Sequence, residues 1–587
     1  MAIIPPGKLK LTNCIVVGMT ANQIVIPVID LFAGPGGLGE GFSRYSTYFN
    51  DSNLSFKTCL SIEKDKVAAR TLRLRAVVRA FVGRQIPDCY YQYIRATNAA
   101  DKAKWFDEIS RQPEWEEAGR EVWNATLGEV GFDELHSRIK KAIAGHDLWC
   151  LLGGPPCQAY SVVGRSRRMG IGEVSRRFVD DEEQKAERAQ RTKEFFSDEK
   201  HTLYREYLKI VAIHQPPIFV MENVKGILSS RLEDGSYIFD KILDDLSEPW
   251  TASLREELMA ENVDGFLPAQ MHRYNIHSFV QHPDGLLGRY QQADYLIRCE
   301  EFGVPQERQR IILLGIREDL ELVPTKLKKR LAETSLVDVI GDLPPLRSGR
   351  SGRITHKVKK SERVDTTAAW IDAVKSETTK VLDEVRAANP EIHVVMENAL
   401  RNLDPNLTRG GVFVPCEPWT DSTLDFAKWY RDRQLGGILQ HETRDHMDAD
   451  FARYLFVAAY GVVMADSPKL RHFPQSLLPE HENAKTEEGR RVFHDRFRVQ
   501  LAGRPAATIT CHIRKDGHYF IHYDPRQCRS LTVREAARVQ TFPDNYFFEG
   551  NRTEQYEQVG NAVPPFLAVQ LAEVVARLIM DLSKLQH

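Results

Sequence analysis

The chain has little cysteine: nine residues in 587, odd in number, scattered, and without a Cys-x-x-Cys pair. That excludes a disulfide framework and a paired-thiolate metal module. With no signal peptide visible, a reducing cytoplasmic setting is expected. No apolar run reads as long enough to cross a bilayer, so no membrane partner is expected either. The chain also lacks net charge, at −2 for pH 7. Any basic surface for a polyanion must therefore be local. No Gly-Lys-Ser/Thr is present to grip phosphates. At 587 residues the chain exceeds a single core, so two or more domains are expected.

What is present begins with Gly154-Pro155-Pro156-Cys157-Gln158. Leu148 to Leu152 reads as a buried parallel strand, and Gly153-Gly154-Pro155-Pro156 stops it abruptly. Cys157 then sits at a strand's carboxyl end, where open α/β sheets hold their ligands. A thiolate there can attack C6 of a cytosine and make C5 nucleophilic enough to take a methyl group. A lone free Cys is more often a small core residue, so the weight lies on the motifs that accompany it.

The first of these is Val28-Ile29-Asp30-Leu31-Phe32-Ala33-Gly34-Pro35-Gly36-Gly37-Leu38-Gly39. A buried strand runs into glycines that let backbone approach a ligand, and a helix follows. Thr58 to Ile62 forms a second strand ending in Glu63, a carboxylate at the position that serves ribose hydroxyls. Ribose without phosphate grips suits S-adenosylmethionine. Pro217 to Val224 is a further apolar strand, carrying Glu222 at its tip toward the crevice of Cys157. A protonated carboxyl there would hydrogen-bond cytosine N3 while Cys157 adds at C6. In Gln306-Glu307-Arg308-Gln309-Arg310, residues two apart in an extended segment share a face. Arg308 and Arg310 are thus expected to point together at an anion or carbonyl oxygen. Near the C-terminus Thr532 and Glu535 make a capping box, and Gln558-Val559-Gly560-Asn561-Ala562-Val563-Pro564-Pro565 opens an apolar helix from Phe566 to Leu582.

Together these motifs resemble the DNA cytosine-5 methyltransferase family, in the family's order, over residues 1 to about 317 and about 505 to the end. The resemblance implies an α/β, doubly wound S-adenosylmethionine-dependent fold with an inserted target-recognition domain. It implies that Phe32, Ala33, Gly34, Gly36, Gly37, Leu38, Glu63, Lys64, Pro156, Asn561 and Val563 line the cofactor site. Cys157 would be the nucleophile, Glu222 the partner of N3 and N4, and Arg308 and Arg310 the cations near cytosine O2 and the thiol. Gln158, Ser161, Arg165, Arg167 and Arg168 would meet duplex DNA, the three arginines by clamping phosphates on a mobile loop. The family's acid that contacts the cofactor adenine has no clear match in Tyr90 to Asp101. Amino-group methylation is disfavoured, because the site reads Pro-Pro-Cys and not Asp-Pro-Pro-Tyr. The family's tRNA-modifying branch and a catalytically silent DNA-binding module stay open.

The expected organisation is a catalytic part over 1–345, with a helical insert at about 66–145 and the mobile loop at about 162–206. A recognition domain follows over 346–504, and 505–587 returns to the catalytic fold. Candidate readers are Arg409, Arg444, Arg453 and His446, since arginine can grip guanine bidentately; of these Arg444 is expected to meet the DNA. Cys511, His518, His522 and Cys528 tempt a zinc reading, but His518 to His522 alternates like a strand, and no metal is expected. A monomer is expected, with a host-protecting role in restriction-modification or in phage defence of the DISARM type. Products of neighbouring defence genes are its expected partners besides DNA.

Overall fold

A computed structural model describes residues 15–17, 22–49, 52–81, 83–156, 199–231, 235–250, 254, 255, 258, 268, 270–283, 290–351, 364–417, 425–479 and 495–585. Its centre is a ten-stranded mixed sheet. In chain order its strands are β1 (Ile15–Val17), β2 (Asn22–Leu31), β3 (Ser46–Phe49), β4 (Ser52–Glu63), β5 (Val122–Asn124) and β6 (Cys150–Gly153). Then come β7 (Ile218–Val224), β8 (Tyr274–Ser278), β9 (Leu296–Arg298) and, after the two-residue β10 (Gln306–Glu307) that lies outside this sheet, β11 (Gln309–Arg317). The main path runs β3-β4-β2-β6-β7-β11-β8. β4, β2, β6 and β7 are mutually parallel, and β11 is antiparallel to β7. The carboxyl ends of four strands and the amino end of β11 therefore share one edge. The order turns around β2, between β4 and β6, which is the switch point where such sheets open a crevice.

Apolar residues alternate between two covered faces, as burial on both sides requires. Val28, Cys150, Leu152, Val220 and Ile312 pack in one apolar core, and Ile29, Leu151, Met221 and Leu313 in the other. In β4 the pairing slips by one residue, Val28 opposing Thr58 and Ile29 opposing Leu60. Leu54 and Phe56 consequently face the first core, while Leu60 and Ile62 face the second. A single extra residue inverts a strand's sidedness, so the bulge at Cys59 decides where Glu63 emerges.

The first face is covered by α1 (Gly37–Arg44) and the C-terminal helix Pro565–Leu585. A Cβ on Gly41 would lie 2.3 Å from Ala568 Cβ, so a small residue sets this close approach. Within Arg552–Leu582 an 18-residue window reaches a mean hydropathy of 1.6, enough in length and composition for a membrane span, unlike the sequence expectation. Its apolar window is 67% buried, because the sheet uses the same apolarity as a core.

The insert after β4 is largely helical: α2 (Lys66–Ala80), α3 (Asp88–Arg95), α4 (Ala99–Ser110), α5 (Pro113–Glu121) and α6 (Phe132–Ala142), with β5 between the last two. It bolts the later part of the chain down. Tyr91 donates its hydroxyl to Asp432 at 2.7 Å, and Arg95 Nε reaches the Leu435 carbonyl at 2.9 Å. In the region 346–504, helices Thr367–Thr379, Pro390–Arg401 and Asp448–Met464 build one core, which also takes Phe497, Val499, Ile521 and Cys528. Another core joins Leu336, Val339 and Ile340 to Tyr430, Ile438 and residues between Ala506 and Ala562. Packing thus crosses both expected boundaries, at 345 and at 504.

Ionisable groups are buried beneath the crevice edge. Glu40, fully buried, accepts from Arg75 Nε at 2.9 Å, and Arg79 pairs with Glu121. Asp30, 1% exposed at the end of β2, keeps Oδ2 without a hydrogen-bond partner. Burial pushes its carboxyl from 3.8 up to about 7, against the lowering pull of Arg79. A carboxyl raised in the folded state stabilises fully below its unfolded value, and loses that contribution as pH rises toward the folded value. Asp30→Asn is therefore expected to melt higher relative to wild type at pH 8 than at pH 4.5. Calorimetric melting of both proteins across this range checks it, and a gap independent of pH would refute it.

Candidate active site

The glycine turn after β2 lies at the crevice edge where the cofactor is expected. Phe32 at φ 56° and Gly34 at φ 57° put left-handed backbone at successive corners. For a bulky residue such a corner costs about 1–3 kcal/mol and persists only where the surroundings enforce it. Here Ala33 N–H donates to the Ile62 carbonyl at 3.1 Å, and Gly34 N–H to Glu63 Oε2 at 2.8 Å. Asp65 N–H donates to Glu63 Oε1 at 2.7 Å. Burial holds the Glu63 carboxyl above its ordinary value, and these two amides offset only part of that rise. A carboxylate has about four acceptor sites, so Glu63 keeps capacity for ribose hydroxyls. A Cβ on Gly34 would meet nothing within 4 Å, leaving room above the turn for a ligand. These residues fit S-adenosylmethionine.

Other residues assigned to the cofactor are placed differently. Gly36 and Gly37 are buried, and a Cβ on Gly37 would lie 2.1 Å from the Val563 carbonyl oxygen. Gly37 thus serves contact between α1 and the Asn561–Val563 turn, while Gly36, at φ 96°, packs on Leu72 and the Tyr546 hydroxyl. Leu38 is 6% exposed, within the apolar core beneath the turn. Lys64 and Asn561 are exposed, and Pro156 is half-buried. The next strand tip is not in Tyr90 to Asp101, which lies mainly in α3 and α4, but at β5, where Asn124 stands opposite Glu63. Asn124 Nδ2 donates to the carbonyls of Glu63 at 2.8 Å and Lys64 at 3.0 Å. An asparagine, not an acid, thus stands at that tip.

On the base side, Glu222 and Arg310 meet across β7 and β11, with Arg310 Nε 2.7 Å from Glu222 Oε1. Both side chains are largely buried, at 15% and 13% exposure. The Nε–H is not aimed along this contact and has no hydrogen-bond partner, so the pair is held by charge. A Cβ on Gly154 would lie 3.1 Å from Glu222 Oε2, which brings Gly154-Pro155-Pro156 against the carboxyl. Cys157, Gln158, Ser161, Arg165, Arg167 and Arg168 lie outside the described residues. Asn223, whose role sequence reading missed although its motif was seen, donates Nδ2 to the Pro155 carbonyl at 3.4 Å. Tyr207 packs on Gly153, where a Cβ would meet its ring at 2.6 Å. Another thiol near the pair, Cys299, is fully buried and pushed up to about 12, so it is inert as a nucleophile.

Arg308 departs from expectation. Its guanidinium is fully buried and donates to the carbonyls of Ile509 at 2.8 Å, Ala562 at 2.8 Å and Gly560 at 3.4 Å. Strand pairing breaks at Arg308, between β10 and β11, so it does not share the face of Arg310.

The candidate DNA readers are also structural. Arg444 donates to the carbonyls of Ile513 at 2.7 Å and Lys515 at 3.0 Å, and lies 4.4 Å from the centre of the Tyr556 ring. Arg453 holds Asp450 at 2.8 Å and the Leu477 carbonyl at 2.9 Å. Arg409 pairs with Asp365 at 2.9 Å, and buried His446 bonds Tyr454 and Ser530. In a region poor in regular strands, arginine satisfies carbonyls that no ladder pairs. Similarly, His518 bonds Tyr454 at 2.8 Å and His522 faces Glu535 at 3.7 Å. Residues 518–522 form a turn with an isolated bridge at Ile521, not the expected strand. Among the described residues no three His, Cys, Asp or Glu gather at a metal-binding spacing.

A doubly wound sheet with a ribose-type carboxylate, a glycine turn and a buried Glu–Arg pair on one edge defines a methyltransferase architecture. The profile of C-5 cytosine-specific DNA methylases matches residues 188–249 and 256–577, and the chain belongs to that family. It is 28% identical over 579 residues to the Type II methyltransferase M.Bpa9945I of Bacillus paralicheniformis, covering 95% of this chain and all of that one. It is 22% identical over 564 residues to the Type II methyltransferase M.DdeI of Desulfomicrobium norvegicum, covering 94% of this chain and 88% of that one. The DNA (cytosine-5-)-methyltransferase M.ApeKI of Aeropyrum pernix is 23% identical over 463 residues, 74% of this chain and 83% of its own. The chain is a DNA cytosine-5 methyltransferase of the Type II kind, EC 2.1.1.37.

Proposed function

We propose that the protein methylates C5 of a cytosine within a specific duplex DNA sequence, through a covalent Cys157 adduct, with S-adenosylmethionine as methyl source. The observation that carries this is the Glu222–Arg310 pair set against Gly154-Pro155-Pro156, directly ahead of Cys157. S-adenosylmethionine supplies the methyl group when bound, with Phe32, Ala33, Gly34 and Glu63 as the residues to hold it.

The target carbon is inaccessible inside a duplex, so the cytosine must leave the stack, at a cost of a few kcal/mol. Arg165, Arg167 and Arg168 would then clamp backbone phosphates beside the extruded base. Cys157 thiolate forms an S–C6 bond while N3 takes a proton from Glu222, and Arg310 donates to O2 and balances Glu222. The C5 so activated takes the methyl group. Loss of the C5 proton then expels Cys157 as thiolate and restores the ring, with N3 returning its proton to Glu222. No described side chain stands out as the base for C5, and water fills that role. Protection of host DNA in restriction-modification or phage defence is the role that fits a Type II enzyme, in the cytoplasm and as a monomer.

The decisive experiment pairs bisulfite sequencing of DNA from cells expressing the chain with transfer of labelled methyl to purified duplex DNA and to tRNA. One recurring methylated sequence, with label entering DNA, is expected. Label in tRNA alone would overturn the reading in favour of RNA modification.

A further inference from the structure

Arg308 and Arg310 are two residues apart yet face different sites. Arg310 meets Glu222 on the base side. Arg308 reaches the end of the helix Arg552–Asn561, whose last turn carries no basic residue of its own. A helix leaves its final carbonyls unpaired, with partial negative charge, and a buried cation there satisfies both needs. Arg308 supplies that cation from 252 residues away in sequence, holding Gly560 and Ala562 on either side of Asn561. Gln540 Nε2 donates to the same Ala562 carbonyl, and Gln306 Nε2 donates in turn to Gln540. Directly beyond lies Val563, whose carbonyl seats against Gly37 at the start of α1. One short segment therefore carries Arg310 on β11 and, two residues earlier at the break in pairing, the anchor of the turn that leans on the glycine loop.

We propose that Arg308 is a positioning residue for the cofactor side of the crevice: it fixes the Gly560–Val563 turn against Gly37, and does not contact the cytosine. This rests on the S-adenosylmethionine reading above. Arg308→Lys keeps the charge but cannot span three carbonyls. Loss of buried charge-assisted hydrogen bonds of this kind corresponds to weakening of about tenfold or more.

The test measures S-adenosylhomocysteine binding to the purified full chain by calorimetry, alongside KM for S-adenosylmethionine, KM for DNA and kcat. Arg308→Lys is expected to raise the S-adenosylhomocysteine Kd and the cofactor KM together by about tenfold or more, with kcat at saturation and KM for DNA nearly unchanged. Arg453→Lys, a buried arginine elsewhere, is expected to leave all four unchanged, which separates positioning from general loosening. Should Arg308→Lys fail to fold, Gly37→Ala, whose Cβ would lie 2.1 Å from the Val563 carbonyl oxygen, pushes the same turn away and decides by the same Kd. Loss of kcat with Kd intact would return Arg308 to the base, and an unchanged Kd in Gly37→Ala would likewise overturn the proposal. A wild-type protein that binds no S-adenosylhomocysteine and transfers no methyl would instead refute the proposed function.

Discussion

Replacing Cys157 by Ser is expected to abolish methyl transfer while leaving S-adenosylmethionine binding nearly intact. An alkoxide is far harder to form than a thiolate at neutral pH, and no other described thiol takes over, since Cys299 is pushed up to about 12 by burial. The binding residues Gly34 and Glu63 are held by backbone hydrogen bonds that owe nothing to the thiol. Wild-type protein should form a complex that survives denaturation with DNA carrying 5-fluorocytosine at the target, because fluorine blocks the final elimination. The Ser variant should form none. Recovery of only dissociable wild-type complexes would sink the covalent mechanism.

The second large effect is expected from Glu222→Gln. Glutamine keeps the shape and a hydrogen bond but has no proton to give N3, so turnover should fall about a hundredfold or more. The substitution also removes the counter-charge 2.7 Å from Arg310. Single-turnover rates and DNA affinity should therefore be measured on the same preparations. A rate loss with affinity nearly unchanged assigns the effect to proton transfer. Near-normal single-turnover rates would move protonation to another residue.

The strands at the crevice were legible because burial on both faces leaves a continuous apolar run that ends at glycine or a carboxylate. Val28 to Leu31, Thr58 to Ile62, Pro217 to Val224 and Ile311 to Gly315 all fall in observed strands or at their ends. The capping box was legible for a different reason: its two partners are three residues apart, and Thr532 N–H does donate to Glu535 at 2.7 Å. The fates of the arginines were not legible. Arg308, Arg444 and Arg453 look alike in sequence to Arg310, yet each ends on main-chain carbonyls brought in by the fold. Period-two reasoning failed at Arg308 because it assumes an unbroken strand, and pairing changes partners there.

The sequence by itself determined the family: Pro-Pro-Cys, Glu222 and the glycine turn are legible because each is a short motif that depends only on its nearest neighbours. It also determined the parallel strands, since local hydrophobicity and strand-ending residues suffice for them. Only the tertiary structure decided which arginine meets Glu222 and which braces the turn after the helix Arg552–Asn561. It alone placed Asn124 at the tip of β5 opposite Glu63, and brought Tyr546 to the Pro35 carbonyl from 511 residues away. The physical reason is that a buried carbonyl accepts from whichever donor the packing delivers, and what packing delivers depends on contacts hundreds of residues apart.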